Sequence, residues 1–149
     1  MLSPVWFWKS SIPDNICDQI IDCSEKIEYE KGSTPIGEDT RKVDIKFLYE
    51  EFNWINSLIY GYGVFANCKN FKYQLSKCDI EVVQLSRYGV GQFYGKHVDF
   101  NYDENSIPHT RKLSMSVQLS DEKSYDGGNL ILYYGGKYYD TPRTKGTVI

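Results

Sequence analysis

Three consecutive residues, His97-Val98-Asp99, carry two side chains that could bind a metal ion together. The surrounding pattern predicts a strand over Gln92–Phe100, and residues i and i+2 of a strand project from the same face. An imidazole nitrogen and a carboxylate oxygen on one face suit Fe(II) when further coordination positions stay open. The triplet alone equally fits a structural histidine that is hydrogen-bonded to its neighbouring aspartate.

Further motifs surround this triplet along the chain. The segment Tyr88-Gly89-Val90-Gly91-Gln92-Phe93-Tyr94-Gly95-Lys96 precedes it, and Arg111 stands just before Leu113–Leu119, where apolar and polar residues alternate. The alternation predicts a strand with one face in the core and the other toward something polar. The residues of the polar face are Ser114, Ser116 and Gln118. The motifs that follow are Tyr125-Asp126-Gly127-Gly128-Asn129-Leu130 and Lys145-Gly146-Thr147-Val148-Ile149.

This order of motifs resembles the prolyl 4-hydroxylase-like branch of the 2-oxoglutarate- and Fe(II)-dependent dioxygenases, in its microbial or phage form. The shared features are two tyrosines before a His-x-Asp triplet, an arginine-opened alternating strand, a Gly-Gly-x-Leu turn and a late Gly-Thr. The likeness extends weakly to Arg41 and Asn70–Leu75, but its specific motifs lie in residues 88–149. It implies a double-stranded β-helix, or jelly roll, in which two four-stranded sheets face each other and the metal lies at the open end.

The resemblance also implies which residues form the site. His97 and Asp99 would be iron ligands, and Tyr94 would border the substrate channel. The residues expected to line the 2-oxoglutarate pocket are Tyr88, Ser114, Ser116, Gln118 and Leu130. The implied cofactors are Fe(II) and 2-oxoglutarate, with L-ascorbate as a further candidate. The implied reaction hydroxylates a side chain of a peptide or protein, peptidyl proline above all, while O2 and 2-oxoglutarate yield succinate and CO2.

The sequence departs from the family pattern at its end. The family's second ligand histidine, and the Arg or Lys that pairs with the distal carboxylate of 2-oxoglutarate, would both fall after Ile149. His109 follows Pro108 in a polar stretch and is predicted to be exposed rather than to be the missing ligand. We therefore expect an incomplete chain, with the last strands of the jelly roll missing, that shows little turnover and could self-associate through an exposed sheet edge. The alternative is a genuine truncation, in which case the protein is not a normal dioxygenase.

Helices in the first half of the chain are predicted to support the site. A capping box at Ser11-Ile12-Pro13-Asp14 begins a first helix whose apolar period runs to Ile27 and that ends by Gly32. A second helix opens at Glu50, and Arg41–Tyr49 between the two could be an edge strand. The apolar stripe of the second helix consists of Phe52, Ile55, Ile59, Tyr62 and Phe65.

Strand patterns replace helical ones near residue 79. The candidate strands are Ile80–Tyr88, Gln92–Phe100, Leu113–Leu119, Asn129–Tyr134 and Thr147–Ile149. They predict a mainly β fold with an N-terminal helical layer, α+β in class, built as a barrel or sandwich. Residues 1–149 would form a single domain, with a helical support region over 1–78 and an incomplete β-helix core over 79–149.

Composition narrows the choice of protein class. The 149 residues carry a formal charge of −3 and 41% are hydrophobic, which excludes intrinsic disorder, collagen and coiled coil as the main structure. The weak acidity disfavours a nucleic-acid partner. No apolar run is long enough to span a membrane and the four cysteines form no Cys-x-x-Cys pair, so we expect a cytoplasmic protein with reduced thiols. The alternative function is a non-catalytic β-sandwich binding or interaction module whose His-x-Asp is structural.

Overall fold

The computed structural model describes residues 3–32, 40–75, 81–99 and 111–149. This part of the chain contains two α-helices, α1 over Asp14–Ser24 and α2 over Asn53–Ala66. A 3-10 turn, Glu50–Phe52, leads into α2, a π-helical turn, Asn67–Phe71, continues it, and another 3-10 turn spans Glu122–Ser124. The strands are β1 Glu30–Lys31, β2 Arg41–Lys42, β3 Asp44–Leu48, β4 Val83–Arg87, β5 Phe93–Tyr94, β6 Ile131–Tyr134 and β7 Lys137–Asp140.

The strands of the described residues form three antiparallel sheets, ordered β1-β3-β4, β2-β5 and β6-β7. β3 lies in the middle of the largest sheet, so the prediction of an edge strand over Arg41–Tyr49 is wrong. The prediction failed because both faces of β3 are buried: Ile45, Lys46 and Leu48 are all buried. A strand that is buried on both faces shows no strict alternation, and a lysine within it disguises its central position further.

Helix α1 forms where the apolar period predicted it, but its N-terminus differs from the predicted capping box. The residue before the helix is Pro13, and no side chain caps the helix. The Ser11 hydroxyl has no hydrogen-bond partner, so the capping-box prediction is wrong. The N–H groups of Ser11 and Ile12 instead donate to the carbonyl of Gly146, which ties the start of the helix to the C-terminal segment.

A buried lysine holds the C-terminus of α1. Lys46 of β3 is 2% exposed, and its Nζ donates to the carbonyl oxygen of Ser24 at 2.6 Å. The same Nζ lies 4.0 Å from a carboxylate oxygen of Glu25 and 3.8 Å from the ring centroid of Tyr29. A cation at this end of a helix satisfies its last carbonyls and complements the helix dipole. The chain leaves the helix here to form β1, so α1 ends before Gly32.

Two adjoining apolar clusters form the core of the described residues. One consists of Ile20, Leu48, Phe52 and Ile55, and the other of Ile12, Cys17 and Val148. The residues that contact both clusters are Ile16, Leu58, Ile59 and Leu119. The predicted stripe of α2 therefore packs in the core, with one exception. Phe65 is 63% exposed and belongs to neither cluster.

The alternating segment Leu113–Leu119 lies beside the C-terminal residues. Ser116 and Ile149 exchange both backbone hydrogen bonds, at 3.0 and 2.9 Å. Val148 and Trp8 likewise exchange both of their backbone hydrogen bonds, at 2.9 and 3.0 Å. The C-terminal segment therefore lies between the N-terminal segment and the alternating segment. The strand predicted over Leu113–Leu119 is not formed, because this segment makes only an isolated bridge, between Val117 and Val148. The predicted alternation is present, since the serines are exposed and the apolar residues between them are half-buried.

The hairpin β6-β7 turns at Gly135 and Gly136, whose φ angles are 57° and 78°. Only glycine adopts this left-handed region without strain, so the pair forms the tight turn. β6 lies within the predicted strand Asn129–Tyr134, but β7 was not predicted, although Gly-Gly between two aromatic runs predicts a two-residue hairpin. Tyr133 and Tyr138 are partners across the hairpin, with ring centroids 4.8 Å apart.

The described residues thus combine two helices with small antiparallel sheets, as expected of an α+β protein. Their sheets have two or three strands, so the double-stranded β-helix remains a prediction. Neither of the described helices is long and apolar enough to cross a membrane. His109, which was predicted to be exposed, lies outside the residues that the structure describes.

Candidate metal centre

His97 and Asp99 lie after the end of β5, so the predicted strand over Gln92–Phe100 is shorter than expected. Their side chains nevertheless converge, because Nε2 of His97 is 3.1 Å from Oδ1 of Asp99. The N–H of Gly95 donates to the carbonyl of Thr40 at 2.7 Å, which anchors the chain just before the pair. The spacing therefore brings the two side chains together although neither residue belongs to a strand.

The imidazole of His97 has a defined orientation. Its Nδ1 lies 2.8 Å from the carbonyl oxygen of Gly95, so Nδ1 carries a proton and donates. In the neutral ring Nε2 then keeps its lone pair, which faces the carboxylate of Asp99. Two acceptors this close need a positive charge between them, either a proton or a metal ion. Metal-binding histidines have this arrangement, since their other nitrogen commonly donates to a backbone carbonyl.

The pair can be reached from solvent, because the side chains of His97 and Asp99 are 27% and 41% exposed. A nitrogen and a carboxylate oxygen fit two positions of the predicted Fe(II) site. Among the residues that the structure describes, no group of three or more His, Cys, Asp and Glu side chains could hold a metal. The third ligand of the site therefore remains a prediction.

Tyr94 supports the ring of His97. The two rings stack with centroids 3.6 Å apart and an angle of 11° between their planes. The guanidinium carbon of Arg41 lies 4.7 Å from the centroid of Tyr94, and because His97 covers one face of the tyrosine, Arg41 takes the other. Arg41 and Tyr94 are also backbone partners in the β2-β5 sheet. Tyr94, expected at the substrate channel, thus lies against a candidate ligand.

Asp99 has a second neighbour that the sequence analysis did not include in the site. Nη1 of Arg111 lies 3.6 Å from Oδ2 of Asp99, the oxygen that does not face His97. Nη2 of Arg111 donates to the two carboxylate oxygens of Glu81, at 2.7 and 2.6 Å. The Glu81 carboxylate raises the pKa of the Arg111 guanidinium, and the charge of Asp99 raises it further. The available sequence signal was the arginine before the alternating segment, but nothing in the sequence predicts its partners.

Tyr88 joins the same group of residues. It directly follows β4 and is 46% exposed. Partial burial raises the pKa of its hydroxyl, whereas the charge of Arg41 lowers it and the neighbouring Tyr94 raises it again. Tyr88 is thus within electrostatic reach of Arg41 and Tyr94, and its role at the 2-oxoglutarate pocket remains a prediction.

The other residues expected around 2-oxoglutarate lie on other segments. They are the exposed Ser114 and Ser116 and the half-buried Gln118 and Leu130. Ser116 and Gln118 are bonded through their backbones to Ile149 and Thr147, and the carbonyl of Leu130 accepts from Thr141. The described contacts of these residues do not join them to His97 or Asp99.

The β6-β7 hairpin approaches the candidate centre through Lys96, the residue before His97. Nζ of Lys96 lies 3.4 Å from the ring centroid of Tyr133 and 5.4 Å from that of Tyr138. A cation above aromatic rings is held by their electrostatic field. The lysine thus links the hairpin to the segment that carries the two candidate ligands.

Comparisons with known proteins bear directly on this site. Residues 83–149 match the family model of the 2OG-Fe(II) oxygenase superfamily, and this segment contains His97, Asp99 and Arg111. A PKHD-type hydroxylase of Synechococcus sp. (strain CC9605) is 43% identical over 53 residues, which are 36% of this chain. The match spans 22% of the length of that relative. No solved structure gives a significant match.

Residues 83–149, slightly less than half of the chain, are similar to the 2OG-Fe(II) oxygenase superfamily, which is a family of enzymes. The resemblance found in the sequence is confirmed at this level. The enzymes of that superfamily use Fe(II) and 2-oxoglutarate as cofactors.

Proposed function

We propose that this chain carries the site of a 2-oxoglutarate- and Fe(II)-dependent oxygenase that hydroxylates a side chain of a peptide or protein. The observation that supports the proposal best is the 3.1 Å separation of His97 Nε2 and Asp99 Oδ1 within the segment that matches the family. Both atoms can bind a metal ion through a lone pair and both side chains reach solvent, so a divalent cation can bind between them.

Each candidate residue has a role in this proposal. His97 and Asp99 hold the metal, and Tyr94 borders the approach of the substrate. The residues assigned to 2-oxoglutarate are Tyr88, Ser114, Ser116, Gln118 and Leu130. When bound, Fe(II) and 2-oxoglutarate supply the oxidation, in which one atom of O2 enters a substrate C–H bond, the other enters succinate, and CO2 leaves. The protein residues orient the reactants and limit the access of water.

Peptidyl proline is the first substrate that we propose, following the resemblance to the prolyl 4-hydroxylase-like branch. The Synechococcus relative is named a hydroxylase, which agrees with the reaction type. L-ascorbate is the reductant that we propose for keeping the metal in its Fe(II) state. We further propose that residues 1–78 and 79–149 form one domain, which is supported by the pairing of β3 with β4.

The number of protein ligands bears on activity. The described residues provide two ligands, and a facial iron site needs three. We therefore propose that these two ligands alone hold iron weakly and that the 149-residue chain shows little turnover. Self-association through a free sheet edge, such as that of β1 or β4, is part of the same proposal.

The test is the change in melting temperature Tm when Mn(II) and 2-oxoglutarate are added, since a ligand that binds the folded state raises the Tm. We expect a rise for the wild-type protein and none for His97→Ala or Asp99→Ala. His109→Ala and Asp126→Ala remove the same side-chain types elsewhere and should keep the rise. An equal rise in all four variants would exclude the proposed metal pair. If the wild-type protein does not respond, the non-catalytic module with a structural His-x-Asp is favoured.

A further inference from the structure

We propose that Arg111, held in place by Glu81, is a positioning residue that makes Asp99 bind the metal through one oxygen only. This role rests on the proposed metal pair, and it adds two residues that the family resemblance did not assign. It follows from the way in which the two oxygens of Asp99 are divided between different partners.

The two oxygens of Asp99 face in different directions. Oδ1 lies 3.1 Å from Nε2 of His97, where a shared metal ion would be bound. Oδ2 lies 3.6 Å from Nη1 of Arg111. A carboxylate that binds a metal through both oxygens must turn them both toward it. The guanidinium therefore favours an orientation in which only Oδ1 is available to the metal.

Glu81 fixes the orientation of the guanidinium. Both of its carboxylate oxygens accept from Nη2 of Arg111, at 2.7 and 2.6 Å, and the arginine side chain is 26% exposed. Because a guanidinium is planar, holding Nη2 also sets the direction of Nη1, which then faces Asp99. The 3.6 Å separation is long for a hydrogen bond, so the contact orients Asp99 more than it binds it.

The three residues come from separate segments of the fold. Glu81 lies just before β4, Asp99 follows β5, and Arg111 precedes the alternating segment. The Glu81–Arg111 pair therefore links Asp99 to the start of β4, which belongs to the β1-β3-β4 sheet. One-oxygen binding by Asp99 leaves more coordination positions for a cosubstrate and O2, which is what the proposed reaction needs.

Two opposing effects decide the outcome of removing Arg111. Its positive charge repels a metal cation, but its side chain orients the carboxylate that binds the cation. Loss of a residue that orients a metal ligand weakens metal binding by about tenfold or more. Arg111 is partly exposed, so solvent screens its repulsion of the metal. We therefore expect orientation to dominate and removal of Arg111 to weaken metal binding.

The test is the Kd for Mn(II), measured from the electron paramagnetic resonance signal of free Mn(II), in the full chain. We expect the Kd to rise about tenfold in Arg111→Gln and by a smaller factor in Glu81→Gln. Arg111→Lys keeps the charge but loses the planar fork, so it should not restore the wild-type Kd. Arg87→Gln is the matched control, because Arg87 is an exposed arginine that pairs with Asp44 instead.

A second readout separates positioning from a general loss of structure. The carboxylate stretching bands of Asp99 in the infrared difference spectrum, Mn(II)-loaded minus metal-free, report whether one or both oxygens bind. We expect the one-oxygen pattern in the wild-type protein and the two-oxygen pattern in Arg111→Gln. Labelling the aspartate carboxylates with 13C should shift the bands of the loaded wild-type protein, which assigns them to an aspartate.

The outcomes distinguish this role from the proposed function. If Arg111→Gln and Glu81→Gln bind Mn(II) like the wild-type protein while His97→Ala abolishes binding, the role of Arg111 is wrong and the metal pair stands. The role is also wrong if the infrared pattern does not change in Arg111→Gln. If the wild-type protein does not bind Mn(II), both proposals are overturned.

Discussion

The imidazole of His97 lies parallel to the phenol ring of Tyr94, with the two ring centroids 3.6 Å apart. This contact limits the rotation of the imidazole, while the Gly95 carbonyl fixes the position of its Nδ1 proton. Orientation of the candidate ligand therefore depends on an aromatic face, and the tyrosine hydroxyl is not needed for it.

Replacing Tyr94 separates the ring from the hydroxyl. We expect Tyr94→Ala to weaken Mn(II) binding by about tenfold, because the imidazole loses its support. Tyr94→Phe keeps the stacked face and should stay within about twofold of the wild-type Kd. Titration with Mn(II) measures both. A Phe variant as weak as the Ala variant would show that the hydroxyl, and not the ring, is required.

Lys46 is expected to be a strong determinant of stability, although lysine is usually a surface residue. Lys46→Ala removes the donor to the Ser24 carbonyl and leaves a cavity, which should lower the free energy of unfolding by about 2–4 kcal/mol. Lys46→Met keeps much of the volume and should cost about 1–3 kcal/mol.

Urea unfolding of both Lys46 variants measures these losses, with the exposed Lys42 as the comparison. Lys42→Ala in β2 should change the free energy of unfolding by less than about 0.5 kcal/mol. Equal stability of Lys46→Ala and Lys42→Ala would contradict the structural role of Lys46.

Two glycines should respond in opposite ways to alanine. Gly146 has a φ of +76°, and a Cβ there would lie 2.0 Å from the carbonyl oxygen of Ile12. Gly146→Ala should therefore lower the free energy of unfolding by more than about 3 kcal/mol or prevent folding. Gly61 lies in α2 with nothing within 4 Å of its Cβ position, so Gly61→Ala should stabilise by about 0.5–1 kcal/mol.

Circular dichroism during thermal unfolding distinguishes the two glycine variants. A wild-type-like Tm for Gly146→Ala would mean that the C-terminal segment does not approach Ile12 as described. A lowered Tm for Gly61→Ala would contradict the open space around this position of α2.

Asp44 should contribute stability that depends on pH. The Lys31 ammonium, 2.5 Å from Oδ1, holds the pKa of this carboxyl below its ordinary value of 3.8 in the folded protein, and a hydrogen bond from Gln92 and the charge of Arg87 contribute less. A pKa that is lower in the folded state stabilises the fold above the unfolded-state pKa, and this stabilisation disappears as the pH falls through the folded-state pKa.

The variant Asp44→Asn tests this dependence in urea unfolding between pH 7 and pH 3. The difference in free energy of unfolding from the wild-type protein should be constant near neutral pH and shrink below about pH 4. Asp126→Asn, a substitution at an exposed aspartate, is the control. A difference that grows toward low pH would contradict the sign of the shift.

The candidate centre was only partly predictable from the sequence. The spacing of His97 and Asp99 predicted their convergence, although the strand invoked for it ends at β5. The neighbours of Asp99 could not be predicted, because Glu81 and Arg111 meet it through tertiary packing of separate segments. These contacts have no periodicity that a sequence could display.

The fold shows the same division between local and long-range information. The apolar periods predicted both helices, because the buried face of an amphipathic helix appears in its own sequence as apolar residues every three or four positions. The central position of β3 was missed, since the buried Lys46 resembles a surface residue in sequence. The hairpin β6-β7 was readable from Gly135-Gly136, whose aromatic flanks mark two strands.

The contact of Val148 with Ile12 and Cys17 has a consequence during synthesis. These partners are separated by almost the whole chain, so this apolar cluster has a very high contact order. Helix α1 leaves the ribosome early, but one side of it stays uncovered until Val148 has emerged. Nascent chains that stall before this point would expose the apolar face of α1, and they are the species we expect chaperones to bind.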